Sequence, residues 1–155
     1  MSDLQEAIFL LRESLSLRPA PHPYHPDSLH GLAVALQRRF KKAGLMTDLE
    51  EAILLYRESL SFRPTPHSKR YLSLYDLACA LYDHFGKTGS KTDLDEAISM
   101  LRESLSLSPA TNHLHHLSIL RNLANFLEIR FKKNGDQGDF EEAISLRQDI
   151  LALSK

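Results

Sequence analysis

Eight histidines and one cysteine are the side chains with most capacity for chemistry in this sequence. His22-Pro23-Tyr24-His25 and His113-Leu114-His115-His116 form two clusters, and His67 occupies the place equivalent to His22. Imidazoles are zinc ligands, but a zinc site needs four convergent nitrogen, sulfur or oxygen ligands. Cys79 lies far from both clusters in sequence, so they read as polar rings in solvated loops and no metal is expected. Gly86-Lys87-Thr88-Gly89-Ser90-Lys91-Thr92 has the residue types of a phosphate-cradling loop. Such a loop needs a glycine five residues ahead of its Gly-Lys-Thr, and Leu81 stands there, inside a helical pattern. Cys79 sits between Ala78 and Ala80 with no signature of a catalytic cysteine and reads as a packed thiol. No nucleophile elbow is present. Arg38-Arg39-Phe40-Lys41-Lys42 and Arg130-Phe131-Lys132-Lys133 have the charge to touch phosphates, yet both close helices, where cations complement the dipole. Lys87 is the one base at the equivalent end of the middle unit, so the basic stripe is broken. The expectation is a chain that is not an enzyme and uses no cofactor, metal or nucleic acid.

The elements that carry these residues belong to a soluble-type chain. At 155 residues it is long enough to bury roughly two-thirds of its unfolded surface in one domain. A hydrophobic content of 43% with 25% charged residues is that of a globular protein. The net charge of −1 supplies no global field for nucleic acid or an anionic membrane. One cysteine allows no intramolecular disulfide, which points to a reducing compartment. The opening MSDLQEAIFLL is neither a secretory signal nor a transit peptide, and no apolar run approaches the roughly 18 residues of a membrane helix. A cytoplasmic location is expected.

Internal repetition organises the whole sequence. Asp-Leu-Gln-Glu-Ala-Ile begins at Asp3, and its counterparts begin at Asp48, Asp93 and Asp139, giving intervals of 48−3=45, 93−48=45 and 139−93=46. Arg12-Glu13-Ser14-Leu15-Ser16 recurs from Arg57 and from Arg102. Pro19, Pro64 and Pro109 fall in register, as do Phe40, Phe85 and Phe131, and Gly44, Gly89 and Gly135. The extra residue of the third interval lies between Pro109 and Leu123.

Each unit reads as two helices. In the second unit, Leu49, Ala52, Ile53, Tyr56 and Leu60 follow helical spacing, as do Leu74, Leu77, Ala78, Leu81 and Phe85. Arg63-Pro64-Thr65-Pro66 ends the first series because proline cannot continue the hydrogen-bond ladder. Gly89 ends the second, since it tolerates the left-handed closing conformation. Asp3, Asp48, Asp93 and Asp139, or the residue just before each, are expected to cap helices. The pattern predicts seven helices near 3–17, 27–43, 48–62, 69–86, 93–107, 114–133 and 139–153, with no strands.

The run Leu32-Ala33, Phe40, Gly44, Asp48-Leu49-Glu50-Glu51-Ala52-Ile53, Tyr56, Leu60, Pro64 resembles the tetratricopeptide repeat. Leu77-Ala78 with Asp93 to Pro109, and Leu123-Ala124 with Asp139 onward, match in the same way. The units are about eleven residues longer than the usual 34. The family's tryptophan is absent, and Ser59-Leu60 stands for its late alanine-leucine pair. Lengthened units of this kind are similar to the tandem arrays of large fungal proteins, often beside caspase-like CHAT or nucleotide-binding domains, and to the kinesin light chain type. The resemblance implies an all-α, right-handed solenoid of antiparallel helix pairs. It would be one domain over 1–155, with an orphan helix at 3–17 and repeats at about 27–62, 69–107 and 114–153.

A solenoid of stacked helix pairs has a concave face, which the resemblance assigns to the first helix of each pair. The groove positions are then His30, Val34, Gln37 and Arg38 in the first unit. In the second they are Tyr75, Cys79, Tyr82 and Asp83, and in the third Arg121, Asn125, Glu128 and Ile129. These vary between units while the apolar positions barely change, and tyrosine and arginine are frequent interface anchors. Arg121 with Asn125 resembles half of the carboxylate clamp some family members use, without its other basic partners. The implied function is a non-catalytic scaffold that holds a protein or peptide in the groove. The alternative is a structural module, or an internal piece of a longer array, that associates through its end helices. Phe9, Leu10 and Leu11 at one end, and Ile150, Leu151 and Leu153 at the other, would carry such homo-oligomerisation.

Overall fold

The computed structural model describes residues 2–155, and among them it forms seven α-helices and no strand. They are α1 (Asp3–Leu17), α2 (His25–Ala43), α3 (Met46–Ser61), α4 (Arg70–Thr88), α5 (Lys91–Leu107), α6 (His113–Asn134) and α7 (Gln137–Leu153). Neighbours in sequence are neighbours in space, so the chain is a solenoid of antiparallel pairs. We call α2, α4 and α6 first-type helices, and α1, α3, α5 and α7 second-type.

Each second-type helix between two first-type helices is buried on both flanks. Leu49, Ala52 and Tyr56 of α3, and Leu94, Ala97, Ile98 and Leu101 of α5, are almost wholly inaccessible. The first-type helices meet them with Leu32, Ala33 and Leu36, with Leu77, Ala78 and Leu81, and with Leu123, Ala124 and Leu127. The leucine–small pairs let backbones approach closely, which is why the same pair recurs in every unit. Arginine-to-glutamate bridges staple successive second-type helices along the outside: Arg12 to Glu51, Arg57 to Glu96 and Arg102 to Glu142, each bidentate. All are well exposed, so each contributes at most about 1 kcal/mol.

The helix ends depart from expectation in an instructive way. Gly44, Gly89 and Gly135 close the first-type helices in the left-handed region with φ 72, their N–H groups bonded to Phe40, Phe85 and Phe131. The aspartates, however, cap only one helix start as expected. Ser2, just before Asp3, is the N-cap of α1 and forms a capping box with Gln5. The helices α3, α5 and α7 begin earlier, with Leu45, Ser90 and Asp136 at the N-cap, so Asp48, Asp93 and Asp139 lie inside the first turn. There each reaches back to the preceding first-type helix. Asp48 accepts two 2.7 Å bonds from Arg39, Asp139 accepts two from Arg130, and Asp93 pairs with His84. The negative charge still complements the helix N-terminus, but its principal work is to lock the hairpin between the two helices. The extra residue before Leu123 is absorbed into α6, which starts three residues ahead of the register of α4.

Asp48→Ala is therefore expected to cost roughly 2 kcal/mol, since it strands the Arg39 guanidinium, whereas Asp3→Ala stays within about 0.5 kcal/mol. Urea denaturation of the two variants checks the contrast. Acid should erode the Arg130–Asp139 clamp. Hydrogen bonds from Arg130 hold the Asp139 carboxyl below its ordinary value of 3.8. A depressed carboxyl stabilises fully above its unfolded value and loses that contribution as pH falls through the folded one. The melting temperature should be flat above the carboxylate range and drop below about pH 4, and the drop should shrink in Asp139→Asn.

Candidate protein-binding groove

Side chains of the first-type helices touch one another directly. His30 Nε2 of α2 lies 2.8 Å from Asp76 of α4, and Gln37 Nε2 donates to Asp83 at 2.9 Å. One unit along, Asn122 of α6 donates to the Tyr75 hydroxyl at 3.0 Å, and Phe126 stacks on Tyr82 with ring centroids 4.2 Å apart. Second-type helices need the full length of arginine to span the same step. The first-type row is accordingly the inner, concave side of the stack.

The twelve expected groove residues divide into four kinds. Arg38, Arg121 and Asn125 are exposed, with Asn125 engaged by Arg147 of α7. His30, Tyr75, Cys79, Tyr82, Asp83 and Glu128 are half-buried and engaged with neighbours on the same face or on α7. Val34 and Ile129 pack against the core. Gln37 is not a surface residue: it is 8% exposed, accepting the Tyr56 hydroxyl at 2.8 Å while donating to Asp83. Its amide is the connector that lets a buried tyrosine hydroxyl find a partner. Among the end residues, Phe9, Leu10, Leu151 and Leu153 are exposed, whereas Leu11 and Ile150 are half-buried against the core.

Three participants were not foreseen from sequence. Asp76 and Asn122 follow directly on Tyr75 and Arg121, and their position also varies between units (Gly31, Asp76, Asn122). Arg147 replaces the Tyr56 and Leu101 of the middle units at what is otherwise a packed position. It donates to Glu128 at 3.0 Å and Asn125 at 2.6 Å, adding a cation to the third-unit end of the groove. An arginine at an apolar register position was the signal for it.

The histidines do structural work. His22 and His67, at equivalent places, each accept an amide proton two residues on. His25 is buried edge-on to Phe62 and bonded to the Arg18 carbonyl, and His115 sits between Tyr71 and Tyr75. The clusters are thus partly interior rather than simply solvated loops. Among the described residues no three His, Cys, Asp or Glu side chains converge as metal ligands, and no helix is long and apolar enough to cross a membrane. Lys87-Thr88 closes α4 ahead of the left-handed Gly89, with no strand before it.

The comparisons agree with this architecture. The Tetratricopeptide repeat family model matches residues 27–67. The fold is shared with a Podosopora anserina protein named for kinesin light chain and its nearly identical TPR-like repeats. It has 24% identity and a TM-score of 0.71, over 97% of this chain and 66% of that one. A variant of it with one glutamine replaced by methionine gives the same values. The chain therefore spans a little under two-thirds of the length of those structures. No curated protein matches it. Fold and repeat define a helical repeat array. It is a tetratricopeptide-like one with lengthened units.

Burial, with Asp76 adding to it, pushes the Cys79 thiol up to about 12. A thiol so protonated is a poor nucleophile. Ellman's reagent at pH 8 should react with native Cys79 on the order of a hundred-fold more slowly than with a free thiol, and at the ordinary rate in guanidinium. Rapid labelling of the native protein would contradict the packing described.

Proposed function

We propose that the array is a scaffold that holds a protein segment along the concave face of α2, α4 and α6. The observation that carries this reading is the state of the face. Its central polar groups are already paired between helices, which fixes the surface, while Arg38 and Arg121 project from either end of it without an ion-pair partner among the described residues. Asp76 and Asp83 in the middle are engaged by His30, Gln37 and Lys41, so the free charge is cationic. An extended segment with acidic side chains spaced to reach α2 and α6 fits that distribution. Pre-organised groups lose little on binding, which favours affinity. Arginine at either end supplies bidentate recognition of carboxylates.

Selection from a random peptide display library tests the reading. The recovered peptides should be enriched in acidic residues, and Arg38→Glu and Arg121→Glu should each weaken the best of them about tenfold, as anchors do. Arg57→Glu on the outer ladder should leave affinity unchanged. Peptides indifferent to both groove arginines would move the binding surface elsewhere.

A further inference from the structure

The outer seam between successive second-type helices is built three times from the same positions. The preceding helix contributes Gln5, Glu50 or Asp95, and the following helix Asp48, Asp93 or Asp139. The first-type helix between them contributes Arg39, His84 or Arg130. In the α5–α7 seam Arg130 joins both flanks, donating two 2.7 Å bonds to Asp139 and one of 3.0 Å to Asp95. In the α1–α3 seam Arg39 holds Asp48, and the other position is the neutral Gln5. The middle seam keeps both carboxylates but has an imidazole in place of the guanidinium. His84 Nδ1 lies 2.5 Å from Asp93 Oδ2, and Glu50 pairs with no cation among the described residues.

The shorter side chain leaves a cleft of 240 Å³ between α3, α4 and α5, bordered by His84 and the two carboxylates. Ile53 and Leu81, both buried, supply its apolar lining, and Leu54, 67% exposed, stands beside them. Arg57 also borders the cleft, but its charge is taken up by Glu96 through two bonds. The middle seam thus sets three carboxylates, Glu50, Asp93 and Glu96, against one guanidinium and an imidazole. The α5–α7 seam sets three, Asp95, Asp139 and Glu142, against the guanidiniums of Arg102 and Arg130. Arginine is always charged, so the middle seam is one permanent cation short.

We propose that this cleft receives an arginine side chain from a partner protein, its guanidinium bridging Glu50 and Asp93 as Arg130 bridges Asp95 and Asp139. The planar fork of arginine offers donors to two carboxylates at once, which the point charge of lysine does not. Its methylene stem packs on the Ile53 and Leu81 side, as long cationic side chains do on apolar surface. The exposed Leu54 gives the residue next to that arginine an apolar contact, so the fit is to a polypeptide rather than to a free amino acid. The cleft lies beside the outer ladder, and its occupation is independent of the concave groove.

The test is an NMR titration of the whole protein with a blocked peptide carrying one arginine between two leucines. Saturable shifts should centre on the amides of Glu50, Leu54 and His84. The same peptide with lysine should bind about fivefold more weakly, having no fork to share between two carboxylates. Glu50→Gln, at an exposed position that leaves the fold intact, should weaken the arginine peptide about tenfold. His84→Arg introduces the residue found at both equivalent positions and should abolish binding, because the protein's own guanidinium then fills the cleft. No saturable shift at this seam, equal binding of the lysine and arginine peptides, or binding that survives Glu50→Gln or His84→Arg would overturn the proposal. Arginine amide binding as tightly as the peptide would also overturn it, by showing a site for a small cation rather than for a protein.

Discussion

A second-type helix in this stack is buried on both sides only when a first-type helix covers each flank, and most other features follow from that requirement. Burying a large apolar side chain is worth roughly 1.5–3 kcal/mol, and α3 buries Leu49, Ile53 and Tyr56 while α5 buries Leu94, Ile98 and Leu101. Short isolated helices are marginal in water, and most helical stability comes from packing an amphipathic face. Order therefore propagates by contact with the next helix along, as expected of quasi-one-dimensional arrays. The recurrence of Leu32-Ala33, Leu77-Ala78 and Leu123-Ala124 is the record of that constraint.

Polar contacts then set geometry rather than bulk stability. The aspartate clamps at Arg39, His84 and Arg130 fix the angle at each hairpin, and the outer arginine–glutamate ladder fixes the spacing between units. On the inner side the pairs His30–Asp76, Gln37–Asp83 and Tyr75–Asn122 hold first-type helices at short range. Short bridges inside and long ones outside amount to curvature. The same pairs decide which side chains remain free, so the binding face and the packing are one problem.

Much of this was legible in the sequence. The fourfold Asp-Leu/Phe-x-Glu-Ala-Ile phrase and the in-register prolines and glycines place seven helices to within about three residues, because turn chemistry and helical period are local properties. Groove membership was legible as a set of positions but not as surface. Whether Gln37 faces solvent depends on Tyr56 needing a partner for its hydroxyl, and whether Asn125 is free depends on Arg147, which lies in a different helix. The role of the aspartates was misjudged for a related reason. An acidic residue ahead of an apolar run is a good cap in isolation, but a basic residue nine positions earlier in the chain makes it a better clamp. That partnership is visible only once the hairpin brings Arg39 to Asp48. The repetition itself held the clue, since positions 39, 84 and 130 are all basic.

The comparison of α1 with α5 tests the governing requirement most directly, because sequence is nearly constant and only the neighbour changes. Native-state hydrogen exchange resolved by residue should find the amides of Leu94 to Leu105 among the most protected in the protein. Those of Leu4 to Leu15 should exchange at least a hundredfold faster, with opening free energies nearer those of fraying ends than of the core. Equal protection in the two helices would contradict the account, since helix sequence rather than the covering neighbour would then be setting stability.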